Sequence, residues 1–348
     1  MKKKLLINNS QLIKKAKGIY RYFCALQPYL AEHMQMEMLF EDVEGGIFKR
    51  KMREQLFLLN NKKKYDVLWS PSHASGPYWS RKQVVTVHDL IPLHPDSGIS
   101  SSYKAYFKNS VGLMVRNAAH VVCISAAVAD MVQVFYNVRN SKLSVIRNGF
   151  DTIPPIDIIA CPDVLAGRKY IIFVGTLAIH KNVGRLIEAF MIHKMSSQDD
   201  LVLVLVGSFT NSISLGKTDL DFEHLKARDV MFFNSPNDAL LVSLYRHSHG
   251  VVMPSLIEGF GLPIAEALSY NKPVICSDIS VFRELFGGMI RSFFNPYRID
   301  SIQQAINNLS YSEGHLTENE NTMYQKVKVW NWQNSADAYV STFNSIST

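Results

Sequence analysis

Short apolar, β-branched segments alternate with amphipathic helical patterns along the chain, and this alternation restricts the folds that the sequence can adopt. The strand-like segments of the first half are Lys4–Ile7, Met36–Phe40, Asp66–Ser70, Val84–His88, His120–Ile124 and Leu143–Ile146. The helical patterns between them are Gly18–Ala31, Ser102–Asn117 and Ala126–Tyr136. Strands that alternate with helices in this way favour a parallel sheet covered by helices on both faces.

The second half repeats the alternation, and 348 residues are enough for two such domains. Its predicted strands are Tyr170–Val174, Leu201–Val206, Val230–Phe233, Gly250–Met253 and Pro273–Cys276. Its predicted helices are Val183–Lys194, Ala239–Arg246, Pro263–Ser269 and Ile299–Leu309.

We therefore predict an α/β protein with two Rossmann-like domains whose parallel sheets face a cleft. The first domain covers residues 1–150 and the second covers residues 169–330. Residues 151–168 contain three prolines and little pattern, which is typical of a linker. Residues 331–348 are predicted to form a final helix that crosses back to the first domain. Because ligands of open parallel sheets bind beyond the carboxyl ends of the strands, the cleft between the domains is the expected active site.

The charge is distributed unevenly between the two halves. Residues 1–150 contain 22 Lys and Arg against 10 Asp and Glu, a net charge of +12, whereas residues 151–348 have a net charge of −5. Three basic clusters, Lys2–Lys4, Lys49–Arg53 and Lys62–Lys64, lie in the basic half. A basic half favours an anionic partner. Such a partner is nucleic acid, a phosphorylated substrate or an acidic membrane surface.

The cysteines and the apolar segments indicate the compartment. Cys24, Cys123, Cys161 and Cys276 are widely spaced without a Cys-x-x-Cys pair, which favours a reducing cytoplasm. The apolar run that follows Lys2–Lys4 is too short for a signal peptide, and no window approaches the roughly 18 apolar residues that span a bilayer. We expect a cytoplasmic protein whose contact with a membrane is peripheral.

The segment Pro254–Leu268 has the pattern of an anion-binding loop that leads into a helix. Gly259 and Gly261 allow the backbone to approach a ligand closely. Pro263 suits the first helical position, and the backbone N–H groups at a helix start attract anions.

Two carboxylates flank this loop. Glu258 precedes the glycines, and Glu266 falls in the first turn of the predicted helix. A diphosphate would bind the N–H groups, and hydroxyls would bind the carboxylates, so the pattern suits a sugar nucleotide.

Further polar residues follow other predicted strands. Lys181 lies between the strand Tyr170–Val174 and the next helix, where it can neutralise a phosphate as a point charge. His88 and Asp89 end another predicted strand, and Ser125 is expected to cap the helix that begins at Ala126.

Five segments in this order and spacing resemble the family 4 retaining glycosyltransferases, which have the GT-B fold of two Rossmann-like domains. The resemblance covers nearly the whole chain, and the second segment is similar to bacterial polysaccharide mannosyltransferases. The segments are Lys17–Tyr22, Val87–Pro92, Asn148–Asp151, Gly175–Asn182 and Glu258–Glu266.

The resemblance implies roles for individual positions. His88, Lys181 and Glu258 would be the catalytic residues: Lys181 would balance the diphosphate, Glu258 would bind hydroxyls of the donor sugar, and His88 would contact that sugar from the first domain. Glu266 would accept hydrogen bonds from the ribose, and Gly18 would let the backbone approach the phosphates. The full donor-binding set is Gly18, Thr176, Lys181, Arg185, Asn234, Ser235, Glu258, Gly259, Phe260, Gly261, Leu262 and Glu266.

One departure from the family pattern concerns the cationic loop. Many members have an arginine before the lysine, where this chain has Thr176 and His180. Because a neutral histidine supplies less charge than an arginine, phosphate binding is expected to depend on Lys181 and Arg185.

The implied activity is transfer of a hexose, with mannose from GDP-mannose as the donor, to a lipid-linked or oligosaccharide acceptor in the assembly of a surface polysaccharide such as O-antigen or capsule. The expected partners are the nucleotide sugar, a lipid-diphosphate oligosaccharide and the anionic inner-membrane surface, without nucleic acid. No cofactor and no metal are expected, because the spacing of the histidines does not suit a metal site; they include His73, His94, His180, His247 and His249.

Three alternatives remain open. Asp219–Asp221 is an Asp-x-Asp string of the kind that holds a metal in single-domain glycosyltransferases, although it does not end an apolar strand. An epimerase of related architecture would act on the sugar nucleotide without an acceptor. A two-domain protein that only binds a sugar would neither transfer the sugar nor epimerise it. The loop after the first strand lacks Gly-x-Gly-x-x-Gly, which argues against NAD chemistry.

Overall fold

The computed structural model describes residues 2–10, 12, 17–40, 65–73, 82–149, 159–197, 199–208, 225–327 and 330–346. Residues 151–158 of the predicted linker, Asp219–Asp221 and the basic clusters at 49–53 and 62–64 lie outside these ranges. The chain forms two compact units. The first comprises residues 1–94, 99–149 and 329–348, and the second comprises residues 95–98 and 150–328.

The described part of the first unit contains a parallel sheet with the strand order β2-β1-β3-β4-β5-β6. Continuous apolar burial, with every residue of β3 and β4 buried, is typical of parallel strands covered on both faces. The side chain of Ser125 caps the helix α3, as predicted, and that of Ser100 caps α2. The elements are β1 (Lys4–Ile7), α1 (Lys17–His33), β2 (Gln35–Met38), β3 (Val67–Ser70), β4 (Gln83–Val87), α2 (Ser101–Asn117), β5 (His120–Cys123), α3 (Ala126–Tyr136) and β6 (Leu143–Val145).

The second unit has its own parallel sheet, in which the described strands follow the order β12-β11-β10-β7-β8-β9. Its central strand β7 pairs with both β10 and β8, so the loops that follow these three strands emerge at one edge. The elements are β7 (Tyr170–Val174), α4 (Val183–Ser196), β8 (Val202–Gly207), β9 (Val230–Asn234), α5 (Asp238–His247), β10 (Gly250–Met253), α6 (Leu262–Ser269), β11 (Val274–Ser277), α7 (Ser280–Phe286), β12 (Ser292–Phe294), α8 (Ile299–Ser310) and α9 (Glu318–Val327).

The α/β class with two parallel sheets is confirmed. The predicted elements recur with ends shifted by at most a few residues, as is usual for helix and strand boundaries. The sequence analysis did not predict α7, β12 or α9. The strand β12 has three residues and α7 has seven, which is too short for a recognisable period.

The last helix, α10 (Trp332–Ser345), packs in the first unit. Tyr339 and Phe343 are fully buried there against β1, β3 and α1. The hydroxyl of Tyr22 donates a hydrogen bond to that of Tyr339 at 2.5 Å, and Thr86 Oγ1 lies 2.8 Å from the same Tyr339 hydroxyl. These contacts join the C-terminal helix to α1 and β4.

The glycine of the Asn-Gly pair allows α10 to approach. A Cβ atom added at Gly149 would lie 2.5 Å from the backbone nitrogen of Trp332 and 2.7 Å from its Cγ. Ser335 Oγ also donates to the carbonyl of Arg147 at 2.7 Å. The sequence analysis named Asn148–Asp151 only as a segment of the family resemblance, and the structure shows a close contact between two chain segments at Gly149.

We predict that Gly149→Ala lowers the free energy of unfolding by roughly 1–3 kcal/mol, because the methyl group overpacks the contact with Trp332. Gly18→Ala is the control. An added Cβ at Gly18 meets no described atom within 4 Å, and alanine favours a helix over glycine by about 1 kcal/mol. Thermal unfolding followed by circular dichroism measures both. Equal midpoints for the two variants would contradict this role of Gly149.

Candidate functional site

Two loops meet at the carboxyl edge of the second sheet. Residues 175–182 follow β7, and residues 254–261 follow β10, and these strands are hydrogen-bonded neighbours. A backbone bond joins the two loops, since Leu256 N–H donates to the carbonyl of His180 at 2.8 Å. The pairing of the strands therefore places the residues of two predicted motifs side by side.

Lys181 and Glu258 form an ion pair across these loops. Lys181 Nζ lies 2.5 Å from Glu258 Oε1, and the two side chains are only 16% and 10% exposed. Ser255 Oγ donates to the same carboxylate oxygen at 2.8 Å. A largely buried ion pair is stable only when further hydrogen bonds support it, and Ser255 supplies one.

Asn182 holds the loops in place. It has a left-handed backbone conformation with φ of 58°, which asparagine tolerates better than most residues. Its side-chain amide donates to the carbonyls of Pro254 at 3.1 Å and Pro296 at 2.7 Å, and its Oδ1 accepts from Arg185 at 2.8 Å. The sequence analysis included Asn182 in a motif without assigning it this role.

The glycine loop leads into α6 at Gly261. This residue has φ of 104°, and a Cβ there would lie 2.8 Å from Cε1 of Phe282. Only glycine fits both conditions. Phe260 is buried with its ring against Phe286, so the ring itself does not face a ligand. The first N–H groups of a helix have no partner within the helix, which makes this start a place for an anion.

The prediction that Glu266 lies in the first turn is wrong. The helix α6 begins at Leu262, so Pro263 is its second residue and Glu266 its fifth. The left-handed Gly261 begins the helix one residue earlier than the proline suggested. Glu266 is therefore in the second turn, where its Oε2 accepts a hydrogen bond from the Tyr245 hydroxyl at 2.8 Å.

The remaining predicted donor residues of the second unit lie at the same sheet edge. Thr176 is exposed just beyond β7, and Asn234 and Ser235 are exposed where β9 ends. The N–H of Ser235 donates to the carbonyl of Gly207 at 2.9 Å. Arg185 stands over the ring of Tyr297 at 5.7 Å.

His88 is buried at the end of β4 in the first unit. Its Nε2 lies 2.7 Å from the carbonyl oxygen of Pro71, and its backbone N–H donates to Nδ1 of His73 at 3.3 Å. The ring of Tyr22 lies edge-on at 4.7 Å. Burial lowers the pKa of His88 to about 4; the Pro71 carbonyl opposes this shift, His73 adds to it and Asp89 opposes it.

Two consequences follow for His88. The imidazole is neutral near pH 7, so Nε2–H donates to the Pro71 carbonyl and Nδ1 is an acceptor. A neutral acceptor of this kind suits a hydroxyl better than a phosphate.

Gly18 occupies the first turn of α1, in agreement with the helix predicted from Gly18 to Ala31. It is exposed and has no described atom within 4 Å of an added Cβ. The local space is open because no side chain of the described residues packs over it.

Two further observations concern metals and membranes. No group of three or more His, Cys, Asp or Glu side chains that could hold a metal ion occurs within the described ranges. No described helix is long and apolar enough to cross a membrane.

Comparisons with known proteins identify two glycosyltransferase families in this sequence. Residues 163–330 match the family described as Glycosyl transferases group 1, and residues 44–153 match Glycosyltransferase Family 4. The chain therefore contains a group 1 domain and a family 4 domain of glycosyltransferases. The first match contains Lys181, Glu258 and Glu266, and the second contains His88.

Curated relatives of this chain include two named O-antigen mannosyltransferases. The O-antigen chain mannosyltransferase RfbU of Salmonella typhimurium is 35% identical over 232 residues, which is 66% of this chain and 61% of that protein. The O-antigen chain mannosyltransferase B of Escherichia coli is 30% identical over 149 residues, 41% of this chain and 37% of that protein. The chain thus spans less than two thirds of the length of either relative.

Solved glycosyltransferase structures share the fold of nearly the whole chain. The Anabaena protein HepE, in complex with UDP and glucose, superposes with a TM-score of 0.70 at 16% identity, covering 99% of this chain and 100% of that one. The lipopolysaccharide outer core galactosyltransferase WaaB gives a TM-score of 0.66 at 13% identity, with coverage of 99% and 100%. The predicted GT-B fold is confirmed.

We predict that His88 makes stability depend on pH. The pKa rises from about 4 in the folded protein to its ordinary 6.5 in the unfolded chain, so the unfolded chain binds more protons between these values. The free energy of unfolding therefore falls as the pH drops through this window, by at most about 1.4 kcal/mol per pH unit. His88→Gln removes this contribution and flattens the slope.

Urea unfolding at pH values from about 4.5 to 7.5 measures the slope. His33→Gln, at an exposed histidine of α1, is the control and keeps the wild-type slope. If His88→Gln also keeps that slope, the neutral state of His88 is refuted.

Proposed function

We propose that this protein is a retaining, metal-independent glycosyltransferase. It transfers a hexose, with mannose from GDP-mannose as the specific donor, to a lipid-linked oligosaccharide during assembly of a surface polysaccharide such as O-antigen. The observation that carries the proposal is the Lys181–Glu258 ion pair beside the start of α6. The names of the two mannosyltransferase relatives support the choice of mannose.

Lys181 stabilises the departing diphosphate. Its ammonium is held at the strand edge, and the helix start supplies N–H groups nearby, so positive charge is in place before the bond to the sugar breaks. In the ligand-free protein this charge is satisfied by Glu258. Donor binding then transfers the Lys181 ammonium from Glu258 to the diphosphate.

That transfer releases Glu258 to accept hydrogen bonds from hydroxyls of the donor sugar. Ser255 remains on the carboxylate and fixes its orientation. His88 accepts a further sugar hydroxyl at Nδ1, and Glu266 accepts the ribose hydroxyls. The acceptor hydroxyl attacks the anomeric carbon from the face that the diphosphate leaves, and it gives its proton to the departing phosphate oxygen. The resemblance to retaining enzymes supports this stereochemistry.

A transfer assay tests the proposal. The full chain is incubated with radiolabelled GDP-mannose and a lipid extract that contains diphosphate-linked oligosaccharides. The expected result is label in the lipid phase that depends on both the protein and the extract. Conversion of the sugar without the extract would identify an epimerase, and donor recovered bound but unchanged would identify a binding protein. Either result overturns the proposal.

Variants of the ion pair separate its two roles. We predict that Lys181→Ala and Glu258→Gln each lower kcat by about 10²–10³-fold, as removal of one electrostatic contact in an active site does. Glu258→Gln binds GDP at least as tightly as the wild type, because Lys181 no longer has to leave a carboxylate. Lys181→Ala binds GDP more weakly. Calorimetry and the transfer assay measure the two effects.

The matched control is Lys194→Ala, which removes a lysine that pairs with Asp229 at 3.1 Å in the same unit. It is expected to keep both activity and GDP affinity. Full activity in Lys181→Ala and Glu258→Gln would refute the assigned site.

The acceptor proposal implies contact with an anionic membrane on the cytoplasmic face. We predict that the protein sediments with vesicles containing about 30% anionic lipid at low salt, and that it is released as salt shortens the Debye length to a few ångströms. The net charge of +12 on residues 1–150 is the physical reason. Neutral phosphatidylcholine vesicles are the control. Failure to sediment with acidic vesicles would contradict this contact.

A further inference from the structure

Tyr245 links a carboxylate of the proposed site to the interior of the second unit. Its hydroxyl donates to Glu266 Oε2 at 2.8 Å. Tyr245 is fully buried, whereas Glu266 is partly exposed. The hydrogen bond therefore joins a fixed side chain in the core to a carboxylate that a ligand can reach.

The position of Tyr245 is fixed by its surroundings. Its backbone carbonyl, near the end of α5, accepts a hydrogen bond from Ser248 Oγ at 2.8 Å. Its ring stacks on that of Tyr270, with centroids 5.7 Å apart and planes at 27°. Arg246 stands over the Tyr270 ring at 5.5 Å. These contacts hold both the main chain and the ring of Tyr245 in place, and they thereby fix the position of the hydroxyl that donates to Glu266.

This anchoring limits the freedom of the Glu266 side chain. An unrestrained glutamate loses rotamer freedom when it binds a ligand, and that loss weakens binding. A hydrogen bond to a charged carboxylate is among the stronger ones in proteins. An ionised carboxylate has about four acceptor positions, so accepting from Tyr245 is compatible with accepting from hydroxyls of a ligand as well.

We propose that Tyr245 is a positioning residue that sets the preference of this site for ribonucleotides. It holds the Glu266 carboxylate in the orientation in which it accepts the 2′- and 3′-hydroxyls of the donor ribose. The inference rests on the proposed function, because it takes Glu266 as the ribose acceptor. Tyr245 itself does not touch the nucleotide.

The test compares Tyr245→Phe with the wild type in binding a nucleoside diphosphate. The probe is whichever of GDP, UDP and ADP binds the wild-type protein most tightly, together with its 2′,3′-dideoxy counterpart. Tyr245→Phe keeps the ring and its stacking on Tyr270, and it removes only the hydroxyl. The wild type is expected to prefer the ribonucleotide. In the variant this preference falls by about tenfold, which is equivalent to about 1.4 kcal/mol, while the dideoxy affinity stays the same.

Two further variants make the outcome decisive. Tyr170→Phe removes another buried phenol bond of the same length, from the Tyr170 hydroxyl to the carbonyl of Leu244 at 2.8 Å, and is expected to keep the preference. Glu266→Ala is expected to lose it. A preference that persists in Tyr245→Phe but disappears in Glu266→Ala overturns the role of Tyr245 alone. If the wild type binds none of the three diphosphates, the proposed function itself fails.

Discussion

The ion pair between Lys181 and Glu258 joins the two loops on which the rest of the site depends. Removing two charges from water is costly, and the pair persists because Ser255 adds a hydrogen bond to the carboxylate. The backbone bond from Leu256 to His180 holds the loops at the distance that the pair requires. The Lys181 ammonium and the Glu258 carboxylate are thus held in place in the ligand-free protein.

Two unusual backbone conformations make this arrangement possible. Asn182 and Gly261 both have positive φ, one at the start of α4 and the other at the start of α6. The side chain of Asn182 bonds to the carbonyls of Pro254 and Pro296, and the ring of Phe282 lies beside Gly261. Strained positions of this kind persist only where the surrounding contacts determine them, and they are common at functional sites. The backbone conformations of Asn182 and Gly261 and the Lys181–Glu258 ion pair therefore both indicate a functional site at this sheet edge.

Most of the fold could be predicted from local patterns, and part of the site could not. The bounds of β1, β7 and β10 agree with the prediction because each strand contains a run of buried apolar residues. The polar helix α9 gave no such signal. Lys181 and Glu258 were recognisable from their motifs. The bonds made by Asn182 and by Tyr245 join residues 72 and 21 positions apart, and no local pattern reports such pairs.

A crystal structure of the full chain with GDP tests the central claim most directly. The account predicts that a terminal phosphate oxygen lies within about 3.5 Å of Lys181 Nζ, that Lys181 has separated from Glu258, and that the ribose hydroxyls contact Glu266. A nucleotide bound elsewhere, with the Lys181–Glu258 pair still closed, would contradict it.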